Sequence, residues 1–395
     1  MKRILIFLVI SIITIGAAAA QEVEPIEVPA GTPQSPEVMA QGGSFAAISH
    51  GYNSLFTNPA GFSRSPSEFT LTSLSLWLYG NGPKLINLDG SDFNDENGEV
   101  STGAILDLAD SLIQSGTGFG FSGGLGWAGG GVGLGLYSTG DFLVRGENLL
   151  GANGYLIWTN GLVAGLSFEL NLLGINFHLG GDVRPEIRTF TNMNSNTMGT
   201  LIGAMNSGGS PEDALMQLPA LQGFGLGIDV GTIAELGPFT AALSIRDLFG
   251  TQYAFRQTSI QEIADEGGIV EGTELAKDAP PFVTPMNLSF GASFNPDLGA
   301  LSFLIDPMVH LELHDAIEVL SEGRSPWNLL HLGGEVKLLR FIRVRGGINQ
   351  GYFTAGAGVH LLFLDVNAGV FTRSLGRLAT DYPNTGFTVE AAIRF

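Results

Sequence analysis

The sequence contains no cysteine among its 395 residues, which excludes disulfides, thiolate nucleophiles and cysteine metal ligands. Charge is scarce: Asp, Glu, Lys and Arg make up 14% of the chain, against roughly 25% in an ordinary soluble domain. Basic residues are scarcer still, 18 against 38 acidic ones, for a formal net charge of −20. Such a polyanion repels phosphate backbones, so nucleic acid is excluded as a partner. Long apolar runs are also missing. Past the first twenty residues nothing approaches the ~18–20 unbroken apolar residues of a membrane-spanning helix. Glycine, by contrast, is abundant, at 57 of 395 residues.

The first twenty residues read as an export signal. Lys2 and Arg3 form a short basic start, Ile4 to Gly16 an apolar stretch, and Ala18-Ala19-Ala20 a small-residue cleavage site before Gln21. No cysteine follows the site, so a lipid anchor is not expected.

A chain this apolar without spanning helices has one other way to sit in lipid. Every backbone polar group must be satisfied internally, which leaves a closed β-barrel. Each barrel strand is apolar only on alternate residues. The stretch 174–189 shows this: Ile175, Phe177, Leu179, Val183 and Ile187 share one face, and Asn176, His178, Asp182, Arg184, Glu186 and Arg188 the other. The last residues alternate likewise, with Phe387, Val389, Ala391, Ile393 and Phe395 opposed by Thr388, Glu390 and Arg394. A polar face carrying both charge signs suits a narrow lumen. Strands are predicted at 68–79, 118–129, 131–145, 152–170, 174–190, 221–235, 237–256, 284–296, 300–314, 328–338, 342–349, 352–363, 364–373 and 385–395. The fold class is thus all-β: a transmembrane antiparallel barrel of about 14 strands, an even number as bacterial barrels require. The bacterial outer membrane is the expected location and the lipid bilayer the first partner. The C-terminal strand ending in Phe395 is expected to engage the barrel-assembly machinery.

The connections sort by parity. Those after even strands are tight, and those after odd strands are mostly long, including 80–117, 191–220 and 257–283. Short periplasmic turns and long outer loops make this asymmetry. Register can be predicted at one turn. If 339–341 is a three-residue turn, Leu338 faces Ile342, Val336 pairs with Val344 on the lipid face, and Glu335 pairs with Arg345 in the lumen. Lys337 then faces Arg343 and needs a carboxylate nearby, for which Asp365 or Glu390 is expected. Trp77, Trp127 and Trp158 fall in strands, as interface girdles would.

Residues 21–36, with Glu22, Glu24 and Glu27 among four prolines, read as a disordered lead-in. Residues 37–66 differ. They hold Gly42-Gly43-Ser44-Phe45-Ala46-Ala47, then Asn53-Ser54-Leu55-Phe56, then Asn58-Pro59-Ala60-Gly61-Phe62. A segment this apolar needs a place to bury, and the lumen of the barrel (67–395) is available. A glycine–aromatic–Ala-Ala stretch followed by Asn-Pro-Ala-Gly, just ahead of a fourteen-strand barrel, resembles the FadL-type hydrophobic-compound transporters and their PorV-like relatives. The resemblance implies a lumenal hatch over residues 37–62, with Phe45, Leu55, Phe56, Asn58, Pro59, Ala60, Gly61 and Phe62 at the hatch and ligand. The chain departs from that family at His50-Gly51-Tyr52-Asn53, where acidic residues are common.

Loop 80–117 opens acidic and then turns helical, with Ile105, Leu108 and Leu112 on one stripe. Loop 191–220 contains Met193, Met198, Met205 and Met216. Flexible methionine-rich surfaces suit varied apolar ligands, so Ile105, Leu108, Leu112, Met198, Met205 and Met216 could form an outer capture groove, or simply pack on the rim and on each other. The lumenal polar ladder is predicted to comprise Asp182, Arg184, Glu186, Arg188, Glu335, Arg343 and Arg345. Gly118-Phe119-Gly120-Phe121-Ser122-Gly123 matches a dinucleotide fingerprint, but strand rather than helix follows it, so no nucleotide is expected. The glycines there instead allow curvature or close approach of a hatch. His310 and His314 lie roughly 13 Å apart along a strand and cannot share an ion. No metal, cofactor or catalytic centre is expected. The leading expectation is uptake of hydrophobic small molecules such as long-chain fatty acids, with kinks at Gly180 or Gly333 as candidates for a sideways exit. A PorV-like barrel that serves as a docking scaffold for secreted or surface proteins, with a periplasmic or surface protein as its partner, and a simple polar porin are the alternatives.

Overall fold

The computed structural model describes residues 25–43, 45–80, 102–148, 151–206, 211–276, 279–321, 323–375 and 383–395. Fourteen strands form the wall: β1 (Glu68–Tyr79), β2 (Gly118–Gly129), β3 (Val132–Arg145), β4 (Asn153–Leu172), β5 (Ile175–Met193), β6 (Pro219–Leu236), β7 (Phe239–Arg246), β8 (Asn287–Phe294), β9 (Ile305–Leu313), β10 (Leu330–Leu338), β11 (Ile342–Asn349), β12 (Tyr352–Leu361), β13 (Leu364–Ser374) and β14 (Pro383–Arg394). Each pairs with the next in the order of the chain. β14 then pairs antiparallel with β1, from Gly386 opposite Tyr79 to Arg394 opposite Thr70, and closes the barrel. Phe69 and Phe395 exchange two backbone hydrogen bonds of 3.0 and 2.9 Å at the seam. Among the described residues no helix is long and apolar enough to cross a membrane.

The alternation sorts as a barrel demands. Leu74, Leu76, Leu134, Leu136, Leu166 and Phe168 are exposed on the outer face, while Arg184, Glu186, Arg188, Glu335 and Arg345 are buried inside. Trp127 and Trp158 face outward. Trp77 does not: it is buried in the lumen, where its Nε1 donates to Asp141 at 3.0 Å. It therefore anchors a polar contact and takes no part in a girdle.

The 339–341 turn is as expected. Leu338 faces Ile342, Val336 faces Val344, and Glu335 faces Arg345. Asp365 answers Arg343, at 3.4 Å, whereas Lys337 turns to Glu335, at 3.7 Å. The tight connections fall at one end of the barrel, the turn end, except for the two-residue link 350–351 between β11 and β12. At the turn end the β8–β9 connection is long instead, because Gly299–Phe303 forms a 3-10 turn and the strand predicted from 300 begins at Ile305. The helices Thr102–Gln114, Ser195–Asn206 and Pro211–Met216 sit in connections at the other, the loop end.

Two departures matter. The stretch 237–256 is not one strand: β7 stops at Arg246 and the chain resumes as Thr251–Ser259. Asp247 and Phe249 adopt positive φ of 51° and 67° between them. The break turns Asp247 inward, where its amide donates to Asp229 at 2.8 Å and its carboxylate accepts from Arg184 at 2.5 Å. Past it, Thr251–Ser259 rejoins β6 and pairs with Phe282–Thr284. Pro285, which lacks an N–H, separates that piece from β8. The second departure concerns the lead-in. Residues 25–35 are seated rather than loose: Ile26–Glu27 pairs in parallel with Phe282–Val283. Val28 is fully buried among Ile157, Phe190, Tyr253, Phe255 and Phe282. One apolar residue with a matching aromatic socket outweighs the disorder-prone composition around it.

Candidate functional site

From its seat at the loop end, the N-terminal segment runs down through the lumen to β1. Its local structure follows from its caps. Ser35 accepts from Glu37 N at 3.2 Å and starts the short helix Pro36–Met39. Asn58 accepts from Ala60 N at 3.0 Å and starts the 3-10 turn Pro59–Phe62, with proline at its first position. Asn58 is fully buried, and its amide also reaches the carbonyls of Ala46 at 3.2 Å and Leu243 at 3.3 Å. Leu55, Phe56 and Phe62 pack with Tyr52 against Ala128, Tyr137 and Val163 of the wall. Phe45 is buried and lies 5.4 Å from the His50 ring. Strand glycines make this approach possible. A Cβ on Gly133 would meet the Phe62 ring at 2.4 Å, and one on Gly180 the Pro59 backbone at 2.4 Å.

Lumenal side chains grip the segment mainly by its backbone. The Thr354 hydroxyl accepts from Gly42 N at 3.1 Å and donates to Ala40 O at 3.0 Å. His331 Nδ1 meets Gly42 O at 2.5 Å. Ala46 N donates to Glu312 at 2.7 Å, and Ser244 Oγ donates to Thr57 O at 2.8 Å. Two ion pairs complete the grip: Arg64 with Glu235 at 2.6 Å, and Arg345 with Glu37 at 2.9 Å. Burial alone would raise the Glu37 carboxyl, but the charge of Arg345, with those of His50, Arg343 and Arg394, holds it well below the usual carboxylate range.

The lumenal ladder is a set of mostly buried cross-links. Arg184 binds Asp229, Asp247 and, at 3.3 Å, Glu186. Arg188 binds Glu186 at 2.7 Å and donates to Pro29 O at 3.0 Å. Asp182 faces Asp229 across the β5–β6 pair. Arg345 binds Glu335 at 2.7 Å as well as Glu37. Arg394 links Glu390, at 2.6 Å, to Asp365, at 3.1 Å. Sequence reading missed Asp229, Asp247 and Glu37, the partners on other strands or on the segment. It also missed Asp141, which accepts from Trp77, Tyr79 and Tyr155 at 3.0, 2.7 and 3.0 Å.

Two cavities flank the segment. One of about 700 Å³ opens on the loop side, where Met39, Phe45, Trp77 and Phe371 line it together with Asp141, Arg246, Glu312, Asp315 and Arg373. The other, about 340 Å³, lies at the turn end among Gln41, His50, Arg64, Glu235 and Lys337. A third depression of about 550 Å³ indents the outer wall beside Gly123, Ser138, Asn160, Leu162 and Pro185. There the β4–β5 ladder is interrupted between the Gly161–Glu186 and Ala164–Val183 pairs, since Pro185 offers no N–H. The expected kinks at Gly180 and Gly333 are absent, because both stand in continuous ladders. Their missing side chains make room instead for Pro59 and for the Gln41 carbonyl.

At the loop end, Met198 is buried in a cluster with Ile113, Val144, Ala152, Met193 and Leu218. Leu112 and Met216 are half-buried, and the side chains of Ile105, Leu108 and Met205 lie outside the described residues. Helices from two loops thus meet over the rim through a shared apolar core. His310, Glu312 and His314 contribute a grip on Ala46 through Glu312. Among the described residues no group of His, Asp and Glu could hold a metal ion.

No protein-family model matches the chain, and no curated protein matches it. Among solved structures it is similar to the Pseudomonas putida toluene transporter TodX, at 11% identity over 94% of this chain and 99% of that one, with a TM-score of 0.44. It is also similar to the Ralstonia pickettii toluene transporter TbuX, at 12% identity over 91% and 97%, with a TM-score of 0.47. A Pseudomonas aeruginosa FadL homologue shares 14% identity over 95% and 99%, with a TM-score of 0.48.

Proposed function

We propose that the chain is an outer-membrane channel for hydrophobic small molecules, with residues 37–62 as its hatch. The observation that carries this reading is the lumenal segment itself: polar contacts at Glu37, Ala40, Gly42, Ala46, Thr57 and Asn58 hold it between a cavity of about 700 Å³ and one of about 340 Å³. An open water-filled porin has no use for such a stopper. The loop end faces outward, as long loops do in bacterial barrels. A solute entering there meets the apolar groups of Met39, Phe45, Trp77 and Phe371 set among charged ones, including Asp141, Arg246, Glu312, Asp315 and Arg373. Long-chain fatty acids fit that amphipathic character. Onward passage requires either that the segment move or that the solute leave through the weakened wall at Pro185.

The test is oleate binding and uptake in cells with and without the chain, together with the conductance of a variant lacking residues 37–62. The reading expects oleate uptake to depend on the chain, and conductance to appear on deletion. If uptake is unchanged and the deletion opens no conductance, the channel reading fails. A stoichiometric protein partner in a pull-down, with no bound lipophile in native mass spectrometry, would favour a docking scaffold.

A further inference from the structure

The turn end carries a feature that channel function does not use. Leu173, Leu339 and Leu362 each adopt the left-handed backbone conformation, with φ of 56°, 52° and 57°. They stand in three separate tight turns. Leu173 and Gly174 form the two-residue link between Leu172 and Ile175, a position that normally takes Asn, Asp or Gly because φ is positive. A leucine there strains the backbone. In water it would also leave its apolar side chain solvated, and Leu173 and Leu362 are 102% and 89% exposed.

These residues do not stand alone. Outward-facing Leu166, Phe168, Leu170 and Leu172 run along β4 straight into Leu173, all exposed and with no outward charged residue between them. β13 does the same in reverse, from Val370 through Val366 and Leu364 back to Leu362. Phe363 stacks on Phe395 at 5.9 Å beside that turn. The guanidinium of Arg340 lies 5.4 Å over the Phe303 ring, in the manner of a cation that reaches out from an apolar surface. At these three turns the apolar face thus runs on past the strand ends, where other barrels end their apolar band at a girdle; Arg340 and Asp297 are exposed charges at this end.

We infer that the turn end does not project into the aqueous compartment. It is immersed in the adjoining lipid leaflet, with Leu173, Leu339 and Leu362 inserted among acyl chains. The occupant of this surface is lipid, because the surface is continuous with the lipid-facing wall. The inference rests on the membrane-barrel reading above.

The absence of cysteine makes the test direct. Leu173→Cys and Leu362→Cys, each labelled with a polarity-sensitive fluorophore, are reconstituted as full chains in vesicles with and without brominated acyl chains. Leu166→Cys on the belt and Gln261→Cys at the loop end serve as references. The expected result is blue-shifted emission at both turn positions, with bromolipid quenching more than about half that at Leu166, as residence in the apolar band requires. Turn probes that behave like the Gln261 probe overturn the inference while leaving the barrel in place. A Leu166 probe that is also unquenched overturns both it and the membrane reading.

Discussion

Replacing Arg345 with methionine should loosen the hatch without opening the wall. The Arg345 guanidinium is completely buried and bonds Glu37 on the segment at 2.9 Å, Glu335 on the neighbouring strand at 2.7 Å and Asn367 at 2.7 Å. Removing one partner of a buried ion pair costs about 3–5 kcal/mol, because it strands the other charge. Here two carboxylates are stranded, and they differ in how they can escape. Glu335 is fixed on β10 and keeps Lys337 at 3.7 Å. Glu37 can reach water if its segment leaves. Assigning about half of the cost to Glu37 gives about 2 kcal/mol favouring displacement, or roughly a thirtyfold rise in the displaced population. Single-channel recording in planar bilayers reads this as more frequent openings. Glu37→Gln in the Arg345→Met background removes the stranded charge and should return the opening frequency most of the way to that of the unaltered chain. A lower melting temperature in Arg345→Met with no change in openings would refute the reasoning, since Arg345 would then brace only the wall.

Three further substitutions probe the same arrangement. Gly180→Val places a side chain against the Pro59 backbone, 2.4 Å from a Cβ at that position, and should raise conductance while the barrel keeps its heat-modifiable gel mobility. Val28→Asp puts a carboxylate into the socket of Ile157, Phe190, Tyr253, Phe255 and Phe282. The lead-in should leave, and proteolysis within residues 25–35 should accelerate with barrel mobility unchanged. Glu186→Gln strips Arg184 and Arg188 of a shared partner at 3.3 and 2.7 Å, and should cost about 3–5 kcal/mol in urea unfolding.

What could be read in the sequence was whatever repeats with a period of two. Strand number, inward and outward faces, and the register at 339–341 all follow from that period and from the length of the turns. The kink at 247–250 does not, because its cause is a cross-strand partner: Asp247 leaves the ladder to meet Arg184, and nothing near Asp247 in the chain announces Arg184. The seat of Val28 was hidden for the same reason. Its socket is assembled from residues spread between Ile157 and Phe282, while the local composition of the lead-in resembles disorder. Trp77 was misplaced because an aromatic near a strand end looks alike whether it faces lipid or Asp141.

The lumenal charges carry a lesson about mechanism. Alternating acids and bases along β5 look like the lining of a water-filled path, and an open lumen would indeed want them. In the structure, Arg184, Glu186, Arg188 and Arg345 are almost wholly buried and bound to one another or to the N-terminal segment. They hold the segment and brace the wall, so they are spent before any solute arrives. On the proposed channel reading, a solute's route is set by where the lumenal segment is not clamped by charge, and the cavity on the loop side and the indentation at Pro185 are the candidates. The ladder there lacks the pairs between Gly161–Glu186 and Ala164–Val183, whereas the lumenal segment is held at Glu37, Gly42, Ala46 and Arg64 together. On the same reading, a hatch that stays shut leaves sideways exit beside Pro185 as the path to test, and Pro185→Val, which restores an N–H to the ladder, should then slow oleate uptake without changing conductance.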